Sequence, residues 1–252
     1  MVGFGDFNQP LMPENSVGIN KDGLSRLFLS YKTDCQNTTS LSPIRLASSG
    51  DLTALSNSVY NPSESFGNWG IPGLKITDIY TPNYTNPFYT RMQSPSSNTI
   101  QDELSNNNTS DVTFFAIYLG VEDILPYAKS GASEGSMTPT FGTSPAGDGF
   151  ENSLMTLVSV LTVNGAKGII STIPDITKFP YFTAIPENGL VLDSANLETL
   201  NSVYNPIGFS FELGENNFMI EDPTANAFGV RPMETGERIL LNVPLDSVKC
   251  YK

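Results

Sequence analysis

The sequence predicts an α/β fold: a parallel sheet with helices on its faces, followed by a small antiparallel β appendage. Three observations carry this expectation. The run Thr113-Phe-Phe-Ala-Ile-Tyr-Leu-Gly-Val-Glu-Asp-Ile-Leu125 reads as a buried strand ending in a tight loop, which delivers Glu122 and Asp123 to the strand's carboxyl end. Residues 150–173 read as an amphipathic helix, a Gly turn and an apolar strand, half of a βαβ crossover. From Gly208 the apolar period changes to two, the period of a strand.

Each element has its own local reason. Residues 1–65 are rich in turn signals, among them Asn-Lys-Asp-Gly at 20–23 and Asn-Pro at 61–62, and Leu24 to Tyr31 is their best strand candidate. In residues 66–79 a short strand end reaches a Gly-x-x-Gly turn, after which Leu74, Ile76 and Ile79 begin a helix-like face. Residues 87–92 and 99–104 suggest short helices or turns. After Asp123 a short Ile-Leu-Pro-Tyr-Ala-Lys segment leads to a Gly, Ser, Thr and Pro loop over 131–149. Leu154, Leu157, Val158 and Leu161 mark one face of a helix that ends near Asn164-Gly165, and the strand from Lys167 stops at Pro174. Residues 195–204 predict a shorter helix. Residues 209–213 and 217–220 predict a hairpin turning at Gly214-Glu-Asn, with a third strand at 237–243. These strands place a β-rich appendage at 208–252 on an α/β domain at 1–207.

Composition narrows the function classes. A net charge of −13 argues against nucleic acid as a partner, because phosphate binding needs clustered Lys and Arg. No run of about 18 apolar residues is present, so a membrane-spanning helix is not expected. The first residues carry neither a basic n-region nor an apolar h-region, so no secretory signal is expected in the chain as given. Cys35 and Cys250 sit near opposite ends. A bridge between them would contribute on the order of 5 kcal/mol in the chain-entropy model, and two unrelated thiols is the other reading. Neither has a neighbour at metal-ligand spacing and the chain has no His, so no metal site is expected. No nucleotide or calcium motif points to a cofactor.

The chemistry converges on two loops. Gly120-Val-Glu-Asp123 sits where an open α/β sheet collects its ligands. Its acids suit an acid/base pair, a metal or an oxyanion group, while the plainer role of Asp123 is to cap a turn through backbone amides. Asn68-Trp-Gly-Ile-Pro-Gly73 is able to aim a backbone N–H at a substrate, although a tight turn needs Gly whatever its function. With Gly70 and Tyr127, these residues are the candidate pocket lining. No serine lies in Gly-x-Ser-x-Gly, and without His a Ser-His-Asp triad cannot be assembled within this chain. Tyr80, Tyr84, Phe88, Tyr89, Phe179, Tyr181 and Phe182, with Tyr127, suit either a sugar or acyl groove or core filling under loops.

Asn68-Trp-Gly-Ile-Pro-Gly73, Asn86-Pro-Phe-Tyr-Thr-Arg91, residues 114–125 and residues 166–186 together resemble the middle of GDSL-type SGNH hydrolases. The likeness is to the secreted or lipid-anchored branch found in Bacteroidetes. Residues 7–12 and 217–222 also resemble that branch, so the likeness covers most of the chain. It implies a three-layer, flavodoxin-like parallel sheet and a place at the cell envelope or outside the cell. It also implies that Gly73 matches an oxyanion-hole glycine and that Gly120 to Asp123 match the Gly-x-Asn-Asp block. Glu122 then replaces the asparagine whose amide completes the hole. The family's serine and histidine blocks have no counterpart here, so no catalytic residue is assigned.

Two functions follow from the resemblance. One is a non-catalytic relative serving binding or assembly, with a small ester or glycan as ligand. The other is the middle of an active secreted serine hydrolase of lipid or carbohydrate esters, whose Ser and His lie outside the chain. An unrelated carbohydrate-binding or surface-structural protein is a third reading. In that family the serine-bearing strand lies inside the sheet. Its place is expected to be filled either by residues 1–65, with Leu24 to Tyr31 the candidate, or by a strand from a protein partner.

Overall fold

The structure, a computed structural model, describes residues 8–12, 27–34, 37–45, 58–107, 112–133, 135–142 and 147–241. The chain divides into two compact units, Met1–Thr33 with Thr39–Pro174, and Asp34–Thr38 with Asp175–Lys252.

In the first unit, β1 (Leu27–Thr33) and β2 (Thr39–Arg45) form an antiparallel hairpin with Leu27 opposite Arg45. The strand expected at Leu24 to Tyr31 therefore exists over its described part, but it pairs with its sequence neighbour and fills no gap in a parallel sheet.

The short helices lie where caps and periodicity indicate. Asn86 caps α1 (Pro87–Thr90), its Oδ1 accepting the Phe88 N–H at 2.9 Å, with Pro87 pre-set at the first position. Thr99 and Asp102 close a reciprocal cap on α2 (Ile100–Asn107), each side chain accepting the other's N–H at 3.0 Å. The expected face of Leu74, Ile76 and Ile79 runs into a 3₁₀ helix, Ile76–Tyr80, and joins Ile71, Tyr89, Ile100, Leu104, Ile117 and Leu157 in one core.

Next come β3 (Phe114–Ile117), α3 (Val121–Lys129), α4 (Phe150–Thr162) and β4 (Lys167–Ile170). The segment after Asp123 is thus part of a helix with Pro126 in its interior. β3 and β4 pair in parallel, Phe114 opposite Lys167 and Ile117 opposite Ile170, with α4 between them in sequence. The expected helix and strand of the crossover are present and join β3 in a parallel pair, but the three-layer flavodoxin-like parallel sheet is not formed. Every sheet among the described residues has two strands, and only this one is parallel. Nor is β3 buried on both faces. Ile117 enters the core with Phe115 packed against it, whereas Phe114 is 60% and Ile169 61% exposed. A continuous apolar run does not distinguish a strand covered on both sides from one covered on a single side.

In the second unit, α5 (Pro180–Thr183) is followed by β5 (Leu190–Leu192) and α6 (Ser194–Tyr204), which Asp193 caps by accepting the Asn196 N–H at 2.9 Å. β6 (Gly214–Asn216) pairs with β5, and β7 (Met219–Glu221) with β8 (Val230–Pro232), both antiparallel. The hairpin expected between 209–213 and 217–220 does not form, and its supposed turn is a strand. The Asn201 amide explains this. It accepts the Phe211 N–H at 2.8 Å and donates to the Phe211 carbonyl at 3.1 Å, tying that backbone to α6. Residues 237–241 carry no strand, and the rest of the strand expected at 237–243 lies outside the described residues, as do Cys35 and Cys250.

Candidate functional site

All the groups of the two predicted loops belong to the first unit. Ile71-Pro-Gly-Leu74 is a β-turn closed by the Leu74 N–H on the Ile71 carbonyl at 3.2 Å. Pro72 and Gly73, with φ of +78° at Gly73, occupy the positions a type II turn assigns them. Asn86 holds this turn from outside, its Nδ2 donating to the Pro72 carbonyl at 2.9 Å and to the Tyr84 hydroxyl at 3.3 Å. Among the described residues the exposed Gly73 N–H makes no hydrogen bond.

The second loop leaves β3 through Gly120, whose φ is +105°. A Cβ there would come within 2.4 Å of Ile173 Cδ1 and 3.0 Å of Phe150 Cε2, so both the conformation and the space require glycine. Asp123, in the first turn of α3, is 2% exposed and accepts the Ile76 N–H at 3.1 and 3.2 Å through its two oxygens. It caps a turn, as its plainer role had it, but the turn is the 3₁₀ helix of the other loop. That bond fixes the two loops to each other.

Glu122 is half-buried and lies close enough to Tyr84 to act on its ionisation. The Tyr84 phenol is pushed up to about 12, first by burial and further by the Asp78 and Glu122 carboxylates, against a bond from Asn86. The structure thus brings together Gly73, Asn86, Tyr84, Asp78, Glu122 and Asp123. Sequence reasoning assigned no site role to Asn86 or Asp78 and placed Tyr84 among general aromatics. The Asn-Pro pair at 86–87, a helix-cap signature, was the available signal for Asn86.

The remaining lining residues lie elsewhere on the unit. The Asn68 Oδ1 accepts the Gly70 N–H at 2.8 Å, a local turn, and the Trp69 indole donates to the Phe66 carbonyl at 3.0 Å. Trp69 faces a cavity of about 200 Å³ shared with Phe66, Met92, Glu103 and residues 60–65. Tyr127 sits one turn beyond Asp123, its carbonyl accepting the Ser130 hydroxyl at 2.8 Å where α3 ends. Of the other aromatics, Tyr80, Tyr84 and Phe88 pack against the core and Tyr89 lies within it, so core filling describes them. Phe179, Tyr181 and Phe182 belong to the other unit.

A second cavity, of about 260 Å³, opens at the carboxyl ends of β3 and β4. Ile117, Leu119, Phe150, Ile170 and Ile173 line it with Ser171 and Thr172, and Phe150 and Ile173 also pack on Gly120. Such a lining suits hydrocarbon. No metal-binding group of three acidic, Cys or His residues occurs among the described residues, and no helix there is long and apolar enough to cross a membrane. Compared with models of protein families, with curated proteins and with solved structures, the chain matches none.

Proposed function

We propose that this chain is a non-catalytic relative of the SGNH/GDSL-type ester hydrolases. It binds a small ester or glycan at the crest formed by the Gly73 turn and the head of α3, in a binding or assembly role at the cell envelope or outside the cell. The observation that carries this reading is the identity and setting of Glu122. By resemblance its position belongs to an amide that donates to a developing oxyanion. A carboxylate there, beside Tyr84 and Asp78, repels that charge. Removing one such donor costs about 10²–10³ in rate, and an anion in its place costs more. Asp123 offers no replacement base, because its buried carboxylate is committed to Ile76. The Gly73 N–H and the apolar cavity beyond Gly120 remain suited to holding a carbonyl and a short acyl or alkyl group.

The test is hydrolysis of p-nitrophenyl acetate by the chain and by Glu122→Asn, with fluorophosphonate labelling alongside. Neither protein should exceed the buffer rate or take up label. Turnover with a labelled serine would overturn the proposal and favour an active esterase.

A further inference from the structure

We infer that the edge of β3 turned away from β4, left unpaired by every other described residue, is a docking site for an extended apolar segment of another polypeptide, flanked by Lys or Arg. The inference does not depend on the crest reading. It rests on where the backbone groups of the parallel pair point. The Lys167 N–H donates to the Thr113 carbonyl at 3.1 Å and the Ser171 N–H to the Ile117 carbonyl at 3.0 Å. Residues 113, 115 and 117 therefore turn their backbone groups toward β4, and Phe114, Ala116 and Tyr118 turn theirs away. Among the described residues none of those three has a backbone partner. Such a row of donors and acceptors is a template for one more strand.

Side chains select the occupant. Phe114 and Tyr118, 60% and 63% exposed, flank Ala116 on the face away from the core. A bulky apolar residue of an incoming strand seats over Ala116 between these two aromatic shoulders. On the opposite face its alternate residues continue the apolar surface of Phe115 and Ile117. The edge of β4 is the poorer template, because its central position is Gly168, which has no side chain to pack. Charge sets the flanks. The chain carries −13, and Glu122 stands just past the carboxyl end of β3, whereas Lys167 lies opposite Phe114. Basic residues are therefore favoured, above all at the Glu122 end.

Hydrogen exchange and a fluorescent peptide test this together. In the chain alone, the amides of Phe114, Ala116 and Tyr118 should exchange much faster than those of Phe115 and Ile117. Adding the capped peptide Lys-Val-Val-Phe-Val-Val-Lys should slow the first set. Ala116→Pro removes an edge donor without touching the ladder to β4, and should weaken peptide binding about tenfold or more, as the loss of one or two hydrogen bonds predicts. Ile170→Pro, on the β4 edge, should leave binding within about twofold, since no bond to the peptide is lost there. Slow exchange at all three amides in the chain alone would mean that the edge is already filled, by this chain or a second copy, and would overturn the inference. So would a β4 variant that abolishes binding while the β3 variant does not. If Ala116→Pro fails to fold, the peptide N-methylated at alternate residues decides on the unmodified chain, and equal binding of the two peptides would overturn it.

Discussion

The carboxylate of Asp123 and the backbone N–H of Ile76, 47 positions apart in sequence, are joined by a bond that each carboxylate oxygen shares, at 3.1 and 3.2 Å. Ile76 is fully buried, so its N–H has no water to fall back on. Asp123→Ala leaves that donor orphaned and should destabilise the first unit by about 2 kcal/mol in urea unfolding. Asp123→Asn keeps an acceptor and should lose roughly half as much. Glu122→Gln, one residue away, should move the midpoint by less than about 0.5 kcal/mol, since no hydrogen bond among the described residues depends on its side chain.

The two crest glycines should respond differently to the same substitution. Gly120→Ala puts a Cβ 2.4 Å from Ile173 Cδ1 and 3.0 Å from Phe150 Cε2 in a left-handed conformation, so overpacking and strain add. A loss of about 2–4 kcal/mol is expected, measured by thermal or urea unfolding. At Gly73 the nearest atom to a new Cβ is Asn86 Nδ2 at 4.0 Å, leaving conformational strain alone. Gly73→Ala should cost about 1–2 kcal/mol.

Asn86 serves two structures at once, capping α1 and gripping the Pro72 carbonyl. Asn86→Asp keeps the cap acceptor and loses the donor, whereas Asn86→Ala loses both. The alanine variant should fall by about 1–2 kcal/mol and the aspartate variant by less. In both, the Gly73 amide resonance should shift in ¹H–¹⁵N spectra, because the turn has lost its outer clamp.

How far the sequence disclosed this molecule depended on range. α1 emerged where a short helix or turn was expected, and α4 where the stripe of Leu154, Leu157 and Leu161 marked a helix. α3 was read as a short segment because Pro126 interrupts its pattern. Strand pairing was far less legible. Leu190–Leu192 is too short to show a period, and Gly214–Asn216 has the composition of a turn. The side chain that settled the mispaired hairpin, Asn201, lies in a helix ten positions before the backbone it holds. At the site, the two loops were recognisable from glycines and acids, but the Asp123 bond that unites them is a contact no local pattern encodes.

In the second unit, Arg231 joins Asp222 at 2.8 Å and Glu237 through two bonds at 2.8 and 2.7 Å. The Thr224 hydroxyl first, and Arg231 next, hold Asp222 at about 2. Arg231 first, and the Glu234 N–H next, hold Glu237 at about 2. Both lie below their ordinary values of 3.8 and 4.5, so the stabilisation is complete above those values and fades as pH falls toward 2. In Arg231→Ala, carboxyl ¹³C titration should show Glu237 moving up further than Asp222, which keeps its bonds from Thr224 at 2.6 and 3.0 Å. Equal shifts would contradict this assignment of causes.

One titration bears most directly on the claim that the crest binds an ester without cleaving it. ¹H–¹⁵N spectra of the chain, recorded while p-nitrophenyl butyrate is added, follow the amides of Gly73 and Glu122 and the released phenol in the same sample. The expected result is saturable movement of both amides with no phenol above the buffer rate. Phenol release that tracks protein concentration, or crest amides that stay still, would contradict it.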